Sequence, residues 1–164
     1  MRRRDLLGAL GGAAFSWPLT ALAQQREQMR RIAVLLPATS DDAVFQTRIG
    51  AFQQELALLG WSIGRNVSID VHWASASASE IRRHAAELVK LSPDVILATG
   101  DSTIPPLLQA TRTVPIVFPL AGDPVGAGFV DSLAQPGGNA TGFVSFEYGL
   151  SAKWLELLKQ TAQA

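Results

Sequence analysis

The side chains with chemistry to offer gather in three short polar stretches, each following an apolar run. Thr39 and Ser40 come after Ile32-Ala33-Val34-Leu35-Leu36, Asp101, Ser102 and Thr103 after Val95-Ile96-Leu97-Ala98, and Asp123 after Pro115 to Phe118. Asp101, Asp123 and Ser102 could be arranged as a carboxylate pair or around a serine nucleophile. Such chemistry needs a base beside the hydroxyl, and no histidine lies near these positions in sequence. Turn and cap roles explain the same residues more simply, so no catalytic residue is expected. There is no cysteine, which removes disulfides, thiolate metal ligands and a cysteine nucleophile together. The two histidines, His72 and His84, show neither HxxxH nor HxH spacing, and they are read as packed or surface residues with no metal site. Gly126-Ala127-Gly128 offers part of a dinucleotide fingerprint, yet the first strand-to-helix turn, Pro37 to Asp42, lacks glycine entirely. Neither a GxxxxGK[ST] phosphate loop nor a GxSxG elbow is present, and no cofactor is expected.

The elements that would position these stretches are legible from hydrophobic pattern. Val95 to Ala98 is the run of a strand covered on both faces, with Asp94 before it and Gly100 after it. Ile32 to Leu36 is a second such strand, halted by Pro37. Ser40, Asp41 and Asp42 supply cap chemistry for a helix whose apolar stripe is Phe45, Ile49, Phe52, Leu56 and Leu59, ended by Gly60. The two phenylalanines are expected in the core. Val67, Ile69 and Val71 alternate with Ser68 and Asp70, as on a strand near a sheet edge. Ser77 and Glu80 have capping-box spacing ahead of a helix facing inward through Ile81, Ala85, Leu88 and Leu91. A third helix runs to Thr113 with Pro105 and Pro106 in its first turn, and Ile104 with Pro105 lead into it. Pro115 to Phe118 is a fourth strand, Val125 to Leu133 is helical despite Gly126 and Gly128, and Gly142-Phe143-Val144 is a fifth strand. Leu150, Trp154, Leu157 and Leu158 mark a last amphipathic helix.

Strand and helix alternate four times over short connections, which predicts an α/β fold with a flavodoxin-like parallel sheet, helices on both faces and strand order 2-1-3-4-5. Ligands of such sheets bind outside the carboxyl ends of the strands, where strand order reverses. The polar stretches sit at those ends.

Of the 164 residues, 48% are hydrophobic and 17% charged, and the net charge is zero. These values support a folded core and give no basic surface for nucleic acid. Residues 1–23 read as an export signal: Arg2, Arg3 and Arg4 precede a weakly apolar run from Leu6 to Leu22, and Ala21-Leu22-Ala23 offers small residues for cleavage. Arg3-Arg4-Asp5-Leu6-Leu7 is similar to a twin-arginine signal, with Arg2 where serine or threonine is usual. Cleavage near Ala23 would leave a periplasmic chain beginning at Gln24, with a spacer over 24–30.

The chain resembles the N-terminal lobe of an ABC transporter substrate-binding protein of the periplasmic, tryptophan- and tyrosine-binding type. Gly60-Trp61 with Gly64-Arg65-Asn66-Val67, Pro93 to Gly100, and Val114-Pro115-Ile116-Val117-Phe118 carry the resemblance. So do Asp123-Pro124-Val125-Gly126-Ala127-Gly128 and Gly137-Gly138-Asn139-x-Thr141-Gly142. One departure is Asp101-Ser102, where that family usually has threonine-proline. The resemblance implies one lobe of a type I periplasmic-binding-protein fold, serving an ABC permease in the inner membrane and capturing a small solute without covalent chemistry. The strand-end loops are expected to supply the ligand contacts, at Thr39, Ser40, Asp101, Ser102, Thr103 and Asp123. Hydroxyls of Ser40, Ser102 and Thr103 would donate to a carboxylate, and Asp123 would pair with an ammonium group, so an amino acid or small carboxylate is the expected ligand.

On this reading residues 31–148 are the N-terminal lobe and 149–164 are the crossover and first helix of a missing second lobe, in a truncated chain. The uncovered face of Leu150, Trp154 and Leu158 would then favour self-association. A flavodoxin-like enzyme or nucleotide-binding domain is the alternative; a ligand-sensing domain of a regulator is disfavoured by the export signal.

Overall fold

The computed structural model describes residues 29–144 and 148–162; the export segment and residues 24–28 of the spacer lie outside them. The elements alternate as β1 (Arg30–Leu36), α1 (Ala43–Leu58), β2 (Val67–Trp73), α2 (Ala78–Lys90) and β3 (Val95–Ala98). They continue as α3 (Ile104–Ala110), β4 (Ile116–Ala121), β5 (Ala140–Val144) and α4 (Tyr148–Ala162). All pairings are parallel and the sheet order is β2-β1-β3-β4-β5, as the alternation predicts. The order reverses between β1 and β3, so the crevice at their carboxyl ends is the topological switch point.

One face of the sheet makes the core. Ala33 and Leu35 of β1, Ile96 and Ala98 of β3, and Ile116 and Phe118 of β4 pack against Ile81, Ala85 and Leu88 of α2 and Ile104 and Leu107 of α3. Each large aliphatic or aromatic side chain buried there contributes about 1.5–3 kcal/mol. The opposite face is covered more thinly. No residue of α1 is fully buried. Phe45, Ile49, Phe52 and Leu56 are half-buried, and Leu59 is 75% exposed. The expectation of core phenylalanines is thus corrected: α1 leaves an apolar hollow of about 350 Å³ lined by Leu36, Ile49, Phe52, Leu97 and Leu120.

Other boundaries shift for local reasons. Val125 to Leu133 forms consecutive turns and bends, not a helix. Gly128 takes φ +70°, a left-handed conformation that interrupts helical hydrogen bonding. Ser77 occupies the N-cap position of α2 but makes no side-chain cap bond. Glu80 instead accepts from the Ser75 hydroxyl, so the capping box does not form. Leu91 lies past the end of α2 and is partly exposed. α3 ends at Ala110, short of Thr113, and starts at Ile104, which is already helical. β4 extends beyond Phe118 through Pro119, at a register shift where a residue lacking an N–H is tolerated.

Register at the amino end of the sheet is held by Asp94. Its N–H donates to the Arg31 carbonyl at 2.9 Å. Its carboxylate accepts from the Arg31 N–H at 2.8 Å and from Arg30 Nη1 at 2.8 Å. The Arg31 N–H, and then the Arg30 side chain, hold the Asp94 carboxyl below its usual range. A carboxyl depressed in the fold adds stability that is complete above the unfolded value of about 3.9 and is lost as pH falls through the lower folded value. Asp94→Asn is expected to lower the melting temperature at neutral pH and to flatten the acid limb of a stability–pH curve. Parallel acid limbs for the two proteins, followed by thermal melts from pH 7 to pH 2, would contradict this role.

Candidate functional site

Four loops meet along the carboxyl edge of the sheet. The first, Pro37 to Asp42, joins β1 to α1. Asp42 caps that helix, its carboxylate accepting from Val44 N–H at 2.9 Å and Phe45 N–H at 3.2 Å. Aspartate at an N-cap satisfies orphan donors and places negative charge at the positive end of the helix dipole. The second loop is drawn to the first by a hydrogen bond from Ser75 N–H to the Ala38 carbonyl, with Ser75 at φ 41°.

The third loop follows β3. Gly100 has φ 82° and ψ 148°, a region essentially reserved for glycine, and a Cβ there would stand 3.3 Å from Pro37 Cγ. Its bend leads into a single 3₁₀ turn, Asp101–Thr103. Both carboxylate oxygens of Asp101 accept from the Gly122 N–H, at 3.2 and 3.3 Å, which ties the third loop to the fourth. In the fourth, Asp123 accepts from the Gly126 N–H at 2.8 Å, and a side chain at Gly126 would overlap that carboxylate.

The site residues expected from sequence fare differently. Ser40, Asp101, Ser102 and Asp123 all lie exposed on this edge. Thr39 is exposed as well, but its side chain bonds the Asp41 carboxylate and holds that carboxyl below its usual range. Thr103 differs from them: it is fully buried, and its hydroxyl donates to the Gly100 carbonyl at 2.8 Å. The side chain braces the third loop from beneath. Asp101 combines exposure with a structural bond, so its carboxylate both fixes Gly122 and adds charge to the edge.

With Asp41 and Asp42, the edge carries four carboxylates on its first, third and fourth loops. Such a surface attracts a cationic group and repels a phosphate. Hydroxyls of Ser40 and Ser102 supply donors beside it.

One pairing was not legible in sequence. His72 on β2 and His84 on α2 face each other with Nδ1 atoms 3.0 Å apart, although their spacing shows no motif. Burial, and then the neighbouring His84, push the His72 imidazole below its ordinary value. Contact across a strand and the following helix depends on sheet register, which local spacing does not encode.

Comparison with known proteins agrees with this architecture. A tyrosine-binding protein of Clostridioides difficile is 34% identical over 100 residues, covering 61% of this chain and 28% of that protein. A Streptococcus pneumonia ABC domain solved in complex with L-Trp superposes with TM-score 0.65 at 26% identity, covering 71% of this chain and 39% of the other. The ligand-free, open structure of a Clostridium difficile substrate-binding protein with adhesive properties gives TM-score 0.68 at 30% identity, covering 80% and 43%. The chain therefore spans less than half the length of these relatives. The family model for ABC transporter substrate binding protein matches residues 31–162, and with the strand order and the switch-point crevice this places the chain in that family.

Proposed function

We propose that this chain forms the first lobe of the solute-binding component of an ABC importer and presents its carboxyl edge to an amino acid held against a second lobe. The observation that carries the reading is the joining of the first, third and fourth loops at the switch point into one acidic edge with exposed hydroxyls. Asp123 meets the ligand ammonium, and the Ser40 and Ser102 hydroxyls donate to its carboxylate. Asp101 holds the fourth loop at the height where Asp123 can reach. The relatives named for tyrosine and solved with L-Trp support an aromatic amino acid as the ligand class. A nucleotide or flavin phosphate at the first loop would meet Asp41 and Asp42, which weighs against a flavodoxin-like enzyme or nucleotide-binding domain.

The same reading assigns residues 1–23 to an export signal and the mature chain, from Gln24, to the periplasm, where it would deliver solute to an inner-membrane permease. Intact mass of the protein in periplasmic extract is expected to match a chain starting at Gln24; recovery of only the unprocessed chain in the membrane fraction would contradict this. It also assigns α4 to the second lobe. Trp154 and Leu158 are 54% and 66% exposed, and covering this apolar face would drive self-association of residues 24–164. Light scattering that reports a monomer at every concentration, with strongly protected amides from Lys153 to Lys159, would contradict that assignment.

Asp123→Asn tests the binding reading. The asparagine keeps an oxygen for the Gly126 N–H and removes the charge, so the turn should persist. In the two-lobed protein, calorimetric affinity for L-tryptophan or L-tyrosine is expected to fall by about 1.5–3 kcal/mol, the worth of a charge-assisted hydrogen bond. An unchanged dissociation constant would remove Asp123 from the site.

A further inference from the structure

His72, His84 and Glu87 converge between the edge strand β2 and helix α2. His72 lies two residues before Ala74, which packs in the core with Ile81 and Ala85 of α2. His84 and Glu87 stand one turn apart on that helix, with Glu87 Oε2 3.3 Å from His84 Nδ1. His72 Nδ1 is 3.0 Å from the same His84 nitrogen, and one ligating atom from each of the three residues lies within 4.8 Å of the others. The imidazoles meet edge to face, with centroids 5.1 Å apart and planes at 88°, so the rings do not stack.

These separations suit a metal centre. Bonds of about 2.0–2.1 Å to nitrogen and oxygen in a tetrahedron put neighbouring ligand atoms roughly 3.3 Å apart. Two of the three pairs are already close to that distance. Two imidazole nitrogens and one carboxylate are the donors chosen by borderline divalent ions, whereas Mg²⁺ and Ca²⁺ prefer oxygen throughout. We infer that His72, His84 and Glu87 form a three-ligand site for a divalent transition cation of the Zn²⁺ class, with solvent in the fourth position. The ion would cross-link β2, which has a neighbour on one side only, to the helix that covers it.

Arg83 bears on the same site. Its Nη1 lies 3.3 Å from Glu87 Oε1, the oxygen that does not face His84, and so places a positive charge beside the carboxylate that a cation would also bind. Its Nη2 lies 3.3 Å from His84 Nε2. Once Nδ1 binds a cation, Nε2 carries the ring proton and cannot accept from a guanidinium. The Arg83 side chain, 57% exposed, is free to turn away, and it acts as a competitor for the ring.

The sequence has two histidines, so the imidazole NMR signals of the full chain report the site without ambiguity. Titration with Zn²⁺ is expected to move both imidazoles together to a one-to-one end point and to raise the melting temperature, with no response to Mg²⁺. Glu87→Gln, isosteric at a half-buried helix position, is expected to weaken Zn²⁺ binding about tenfold or more, and His84→Gln likewise. Arg83→Gln is expected to bind Zn²⁺ at least as tightly as the unaltered chain. Imidazole signals unmoved by excess Zn²⁺ would overturn the inference. Unchanged affinity in folded Glu87→Gln, or an equal loss on Arg83→Gln and Glu87→Gln, would do the same.

Discussion

The four residues Val95 to Ala98 sit between β1 and β4, and everything on the functional edge depends on how this short strand is held. A four-residue strand has few ladder hydrogen bonds, so its ends matter more than its middle. At the amino end the Asp94 carboxylate and backbone lock onto Arg30 and Arg31 of β1. At the carboxyl end Gly100 turns through a conformation closed to other residues, and Thr103 braces that turn by donating to the Gly100 carbonyl. Asp101 then reaches across to Gly122. Slippage by one residue would turn Ile96 and Ala98 out of the core and break both anchors together.

The motifs that mark the family most specifically do this architectural work. Asn66 accepts from Ser62 N–H at 2.7 Å and donates to the Gly60 carbonyl at 3.2 Å, closing the turn before β2. Asn139 donates to the Val114 carbonyl at 2.8 Å and ties the approach to β5 onto the start of β4. Both asparagines also fall in glycosylation-type triplets, yet their side chains are engaged in these turns. These motif residues set loop geometry through their own hydrogen bonds. Asp101, exposed at the third loop, adds a carboxylate to the edge.

Much of this was legible in the sequence because buried strands and an amphipathic α2 announce themselves by period. Alternation and handedness pointed to a doubly wound parallel sheet, and the flavodoxin-like order expected among such sheets is the one found. The helix expected over Val125 to Leu133 failed instructively: Asp123 caps a turn onto Gly126, and Gly128 adopts φ +70°. Local turn chemistry prevailed there. Which hydroxyls would face solvent was less legible, since Ser102 and Thr103 are neighbours of similar type and only the 3₁₀ turn decides that one is exposed and the other buried. The histidine pair was invisible because twelve residues and a change of element separate its members.

The central claim is that ligand is held at the carboxyl edge and not in the apolar hollow beside α1. Backbone amide NMR of the two-lobed protein, titrated with L-tryptophan, separates these places directly. The account predicts shifts concentrated at residues 39–42, 101–103 and 122–126. Shifts confined to Ile49, Phe52, Leu97 and Leu120, with the edge loops silent, would contradict it.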